Sequence, residues 1–189
     1  MSTETISAPL VLPLAGGTVT GPLNVAVGTG TAIATVSGTY AKFVSGAGVG
    51  NGADLTNDAL WTLTALPANT FTANGDALIL TLTCLSGATA NNKALGLTVG
   101  GTQITSIQFA ANTVPFLALA SITRVDATHV NVALDNTGPG TVGFYASSFN
   151  LVVADLTLNT LAVVVTGASP TTGAAGDVKL FSGIAEFRK

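Results

Sequence analysis

The chain has 189 residues, of which 48% are hydrophobic and only 8% charged, and its formal net charge is −3. Six Lys and Arg with no basic run exclude the clustered positive face that nucleic acid or an anionic membrane surface selects. One cysteine excludes an intrachain disulfide, and with a single histidine beside it a Cys/His zinc site is excluded too.

The opening Met1-Ser2-Thr3-Glu4-Thr5 lacks the positive, then apolar, pattern of a secretory signal. Residues 1–30 read as an extended arm. Pro9, Pro13 and Pro22 interrupt any helix, and glycine pairs prevent a long regular strand. The stretch Leu12-Pro13-Leu14-Ala15-Gly16-Gly17-Thr18-Val19-Thr20-Gly21-Pro22-Leu23 spaces its apolar side chains as if to touch something, yet nothing local can cover them. Such a segment gains its structure from other chains. It resembles the "LPLxGGTxTGPL" element of bacteriophage tail fibres and related virion proteins. The resemblance implies contacts with virion proteins and sister chains through Leu12, Pro13, Leu14, Gly16, Gly17, Thr18, Gly21, Pro22 and Leu23.

Residues 31–57 read as a linker or short strands, with Thr31–Val36 and Tyr40–Val44 as the strand candidates. The run from Ser45 to Gly52 contains a GxGxG pattern at Gly46, Gly48 and Gly50. A dinucleotide loop must leave a buried strand and open a helix, and no helix-forming stretch follows, so the run reads as a linker or hairpin loop.

From Asp58 onward, strand-like runs alternate with turn signals, the layout of an all-β sandwich. Trp61–Leu66 comes first, turned by Pro67-Ala68-Asn69-Thr70, and Asn74-Gly75-Asp76 makes the next tight turn. In Ala77–Leu85, the alternation places Leu78, Leu80, Leu82 and Cys84 on one face. Lys93–Val99 and Thr102–Phe109 form a hairpin about Gly100-Gly101. Val114–Arg124 is apolar on both faces, as in a central or interface strand. His129–Asp135 aligns Val130, Val132 and Leu134. Val142–Val153, Leu156–Leu158, Leu161–Val165 and Asp177–Arg188 follow as strands. The expected fold is therefore all-β: an extended arm (1–30), the weak zone (31–57) and an antiparallel jelly-roll-like sandwich head (58–189).

This head also carries a resemblance. Leu66-Pro67-Ala68-Asn69-Thr70-Phe71, Asn74-Gly75-Asp76, Asn91-Asn92-Lys93-Ala94-Leu95 with Gly100-Gly101, and then Arg124, Asp126 and Thr128, look like a jelly-roll module of phage virion proteins. The resemblance implies a homotrimeric head on a fibre, spike or capsid protrusion, assembled in the host cytoplasm and released in the virion.

Few side chains offer chemistry. His129 heads an alternating strand with its ring opposite the apolar set. Cys84 falls in the apolar phase, as a small buried side chain does. Most of the acids stand at turns, where they cap backbone donors. No Asp-x-Asp-x-Asp-Gly run suggests calcium. No catalytic residue, metal site or cofactor site is expected, and the chain is not read as an enzyme. The apolar stretch Leu151–Val165 is interrupted by Asp155 and Asn159 and is too short to cross a bilayer, so no membrane insertion is expected. The phenylalanines are expected to fill the sandwich. Tyr40, and above all Trp61 and Tyr145, are candidates for stacking on sugar, although Trp61, at the start of a strand, reads first as a core or subunit-interface residue. They underlie the alternative reading, a receptor-binding module for a bacterial surface glycan. The leading reading is a structural protein of a bacteriophage virion, anchored to capsid or tail proteins by its arm. A surface this poor in charge repels its neighbours weakly and suits a protein that works assembled.

Overall fold

The computed structural model describes residues 38–89, 92–109, 114–137, 145–171 and 173–189. The chain divides into Met1–Gly30 and Thr31–Lys189, and every described residue belongs to the second unit. The candidate contact residues from Leu12 to Leu23, and the strand expected over Thr31–Val36, lie outside the described residues.

Among the described residues there are ten strands: β1 (Gly38–Gly50), β2 (Asp58–Thr62), β3 (Ala77–Ser86), β4 (Lys93–Val99), β5 (Thr102–Phe109), β6 (Pro115–Arg124), β7 (His129–Thr137), β8 (Tyr145–Val152), β9 (Val163–Ala168) and β10 (Val178–Arg188). They form a six-stranded sheet, β1-β10-β3-β6-β7-β8, and a four-stranded sheet, β2-β9-β4-β5. Every pairing is antiparallel. The nested pairs β1–β10, β2–β9, β3–β6 and β4–β5 are those of one long hairpin folded across itself, dealt alternately to two sheets. That is a jelly roll. The β7–β8 hairpin is an addition at the β6 edge.

Alternation builds the core. Leu78, Leu80, Leu82 and Cys84 of β3, with Phe116, Ala118, Ala120 and Ile122 of β6, face Leu95, Leu97 and Val99 of β4 and Val163 and Val165 of β9. Phe71 and Phe187 meet edge-to-face at 5.1 Å between centroids and are also buried. At the β4–β5 hairpin, Gly100 and Gly101 take φ of +58° and +84°, the two left-handed conformations of a type I′ turn.

Two expectations are corrected. The glycine run is strand as far as Gly50 rather than linker or hairpin loop, and the described sandwich already includes Gly38–Gly50, ahead of residue 58. β1 pairs with β10 from Gly38↔Phe187 to Gly50↔Lys179, with a register shift between Val44 and Val49. Gly48 sits in that shift at φ +73°, with the Phe181 ring 3.0 Å from where a Cβ would stand. Here Gly48 and Gly50 are required by close packing, Gly50 against the Gly176 backbone, and the Phe181 ring supplies the side-chain contact that Gly48 lacks. Second, Leu156–Leu158 is a turn: Asp155 Oδ1 accepts from the Thr157 N–H and hydroxyl, and the Asn159 N–H donates to the Asp155 carbonyl. β6 is a central strand of its sheet, between β3 and β7. Leu117 and Leu119 point outward and are exposed.

Candidate functional site

Phe71, Gly75, Asp76, Arg124 and Asp126, which carry part of the head's resemblance, meet at one end of the sandwich, whereas Lys93, which carries another part, lies with Thr89 and Asp177 elsewhere. Asp76 Oδ2 accepts from the N–H groups of Thr72 (2.6 Å) and Ala73 (2.9 Å). The Lys189 ammonium stands 3.2 Å away and also donates to the Thr70 carbonyl and the Thr72 hydroxyl. Burial pushes the Asp76 carboxyl up, but these donors outweigh it and hold it below the usual carboxylate range. Arg124 joins the same end to β6. Its guanidinium donates to the Phe71 carbonyl (2.8 Å) and the Asp126 carbonyl (3.1 Å), while the Gly75 N–H donates to the Arg124 carbonyl. Asn69 takes φ +62° in the turn that follows Pro67.

One turn device recurs three times. In Asp54-x-Thr56, Asp126-x-Thr128 and Asp155-x-Thr157, the carboxylate accepts from the threonine N–H and hydroxyl two residues on. The threonine hydroxyl, above all, holds the Asp54 and Asp155 carboxyls low; for Asp126 it is first the Thr128 N–H, then His129.

His129 Nδ1 lies 2.9 Å from both carboxylate oxygens of Asp126, and the Thr128 hydroxyl approaches the same nitrogen at 3.1 Å. A nucleophile activated by this pair would have to sit at Nε2, and no described side chain bonds there. The ring lies opposite Val130, as the alternation requires.

A second polar group was not legible in the sequence. Lys93, Asp177 and Ser169 are all buried. The Thr89 hydroxyl reaches Asp177 Oδ1 at 2.6 Å and Oδ2 at 2.7 Å, and the Ser169 hydroxyl donates to Oδ2 at 2.9 Å. Lys93 Nζ donates to the Thr89 carbonyl at 2.7 Å. Burial pushes the Lys93 ammonium down, opposed by the charge of Asp177. Beside this group, Asn51 pins the end of β1 to the approach to β10: Nδ2 donates to the Ala174 carbonyl and Oδ1 accepts the Val178 N–H. The cluster joins loops that are far apart in sequence, which local patterning does not report.

The stacking candidates fare differently. Trp61 is 8% exposed, packed on Gly183 and 5.9 Å from the Phe43 ring, so its indole has no face to offer a sugar. Tyr40 turns its hydroxyl to the carbonyls of Thr64 and Ala65, and burial raises its pKa. Tyr145 pairs through its backbone with Asp135, and its side chain lies outside the described residues. So do the side chains of Phe109, Phe144 and Phe149. Cys84 is buried, and desolvation pushes its thiol up to about 12. A shallow hollow of about 260 Å³ is lined by Gly38, Glu186, Phe187 and Arg188. Among the described residues, no group of His, Cys, Asp and Glu is placed to hold a metal ion.

No protein-family model matches the sequence, and none of the curated proteins matches it. Among solved structures, the chain is similar to peanut lectin with a 9mer peptide (10% identity, TM-score 0.38, covering 81% of this chain and 97% of that one). It is also similar to lectin I-B4 from Griffonia simplicifolia in its metal-free form (12% identity, TM-score 0.35, covering 82% and 100%). At these values the likeness carries no argument, and the jelly-roll assignment rests on the strand order.

Proposed function

We propose that this chain is a structural protein of a bacteriophage virion: a homotrimeric fibre or decoration protein that docks on capsid or tail proteins through residues 1–30. The observation that carries the reading is where the acidic side chains are spent. Asp54, Asp58, Asp76, Asp126, Asp155 and Asp177 each accept N–H or hydroxyl donors from their own or adjoining loops. Polar groups committed to holding loops rigid serve a scaffold better than they serve proton transfer. The motif from Leu12 to Leu23 supplies the second support, since it reads as a segment that folds only against other chains.

The alternative, a receptor-binding module for a bacterial surface glycan, loses Trp61 as its platform. The test is a chain lacking residues 1–24. The ten strands among the described residues lie downstream of that cut, so the truncated chain should melt as the full chain does. It should be absent from particles assembled in its presence. Truncated protein found in the particle would overturn the assignment of the arm. Saturable, sugar-competed binding of the head to bacterial surface polysaccharide would favour the alternative.

A further inference from the structure

The outer face of the six-stranded sheet is chemically unlike that of its partner sheet. On the four-stranded sheet, the outward Ala94, Thr166 and Ala168 are small and covered, each under 5% exposed, at 3%, 4% and 2%, and Thr98 and Val164 beside them are half-buried. On the six-stranded sheet, Leu117 is 51% exposed, Leu119 54% and Ile184 40%.

The pairing registers align one outward row across five strands: Lys42, Ile184, Thr81, Leu119 and Asp135. Its middle is uncharged. A base stands at the β1 end and an acid at the β7 end, four strand spacings or about 19 Å apart. Neither Lys42 nor Asp135 makes an ion pair among the described residues. The next row sets Thr83 beside Leu117.

A row with opposite charges at opposite ends complements itself. Turn a second copy about an axis parallel to the strands and lay it on the first. Lys42 of each copy then meets Asp135 of the other, and the Leu119 and Ile184 middles close on one another. An unrelated partner would need this charge spacing by coincidence; a second copy has it by construction. Closing the face also removes its exposed leucines from water. We infer that this face is the self-association surface, and that its occupant is a second copy of this chain with Lys42 of one protomer opposite Asp135 of its neighbour. A three-membered ring can use the same pairing once per contact, so the inference fixes the face and its register without resting on the virion reading.

Sedimentation of the full chain tests it. Wild type should run as an assembly at low micromolar concentration, and Leu119→Lys should run as a single chain. Leu158→Lys, a change at a residue 77% exposed in the Asp155 turn, should leave the assembly intact. Lys42→Asp and Asp135→Lys should each weaken association about tenfold, and the double swap should restore it to within a few-fold of wild type. All of these are outward positions, so melting should confirm folded variants; the charge swap still decides the matter if Leu119→Lys fails to fold. A monomeric wild type, an assembled Leu119→Lys or a double swap that does not restore binding would overturn the inference. Three copies support both this face and the trimer of the virion reading, whereas two copies keep the face and contradict the trimer.

Discussion

The indole of Trp61 rests on the backbone of Gly183: a Cβ at that glycine would fall 2.5 Å from Cζ3 and 2.7 Å from Cε3 of the ring. The contact couples β2 of one sheet to β10 of the other. Gly183→Ala should therefore cost about 1–3 kcal/mol by overpacking, because backbone and ring cannot both stay in place. As the chain's one tryptophan, Trp61 reports the change itself, through a shifted emission spectrum and a lower urea midpoint. A variant as stable as wild type would show that the ring can move aside.

Cys84 lies between Leu82 and Phe116 in the β3–β6 core, with its thiol pushed up to about 12 by desolvation. The thiolate is the reactive form, so a thiol reagent should find it inert in the folded protein near neutral pH. Labelling should appear only with unfolding and follow the denaturant transition. Rapid labelling of native protein would refute the buried placement.

Asp76 makes stability depend on pH. Its folded carboxyl lies below the usual range, so the unfolded chain takes up the proton first as the pH drops. The site's contribution is complete above the ordinary value of about 3.9 and is lost as the pH falls through the folded value. Asp76→Asn should cost about 2 kcal/mol near neutral pH by weakening its bonds to Thr72, Ala73 and Lys189. The gap between variant and wild type should narrow below about pH 4, as urea titrations at the two pH values would show. A gap constant across that range would mean that the charge contributes nothing.

Asp177 anchors the buried polar group. Asp177→Ala removes the acceptor for the hydroxyls of Thr89 and Ser169, and should destabilise the fold by about 2–4 kcal/mol. Hydrogen exchange should rise first at Gly87, whose N–H donates to the Asp177 carbonyl, and in the neighbouring loops. Unchanged exchange there would show that the loops hold without the carboxylate.

Period-two alternation and turn chemistry act over a few residues, so the sequence by itself determined β3, β4, β5 and β7, the Gly100-Gly101 turn and the burial of Cys84. The same locality explains the failures. Nothing within Ser45–Gly52 shows that Phe181, more than a hundred residues on, will cover Gly48 and make the run a strand. Leu156–Leu158 alternates like a strand, but Asp155 captures the donors of Thr157 and turns it. Only the tertiary structure decided that Trp61 belongs to the core, that Lys93 and Asp177 share a buried site, and that Lys42 and Asp135 end one row of an open face. Each of these depends on which strands become neighbours, and that is settled by nested pairing across two sheets rather than by any local stretch of residues.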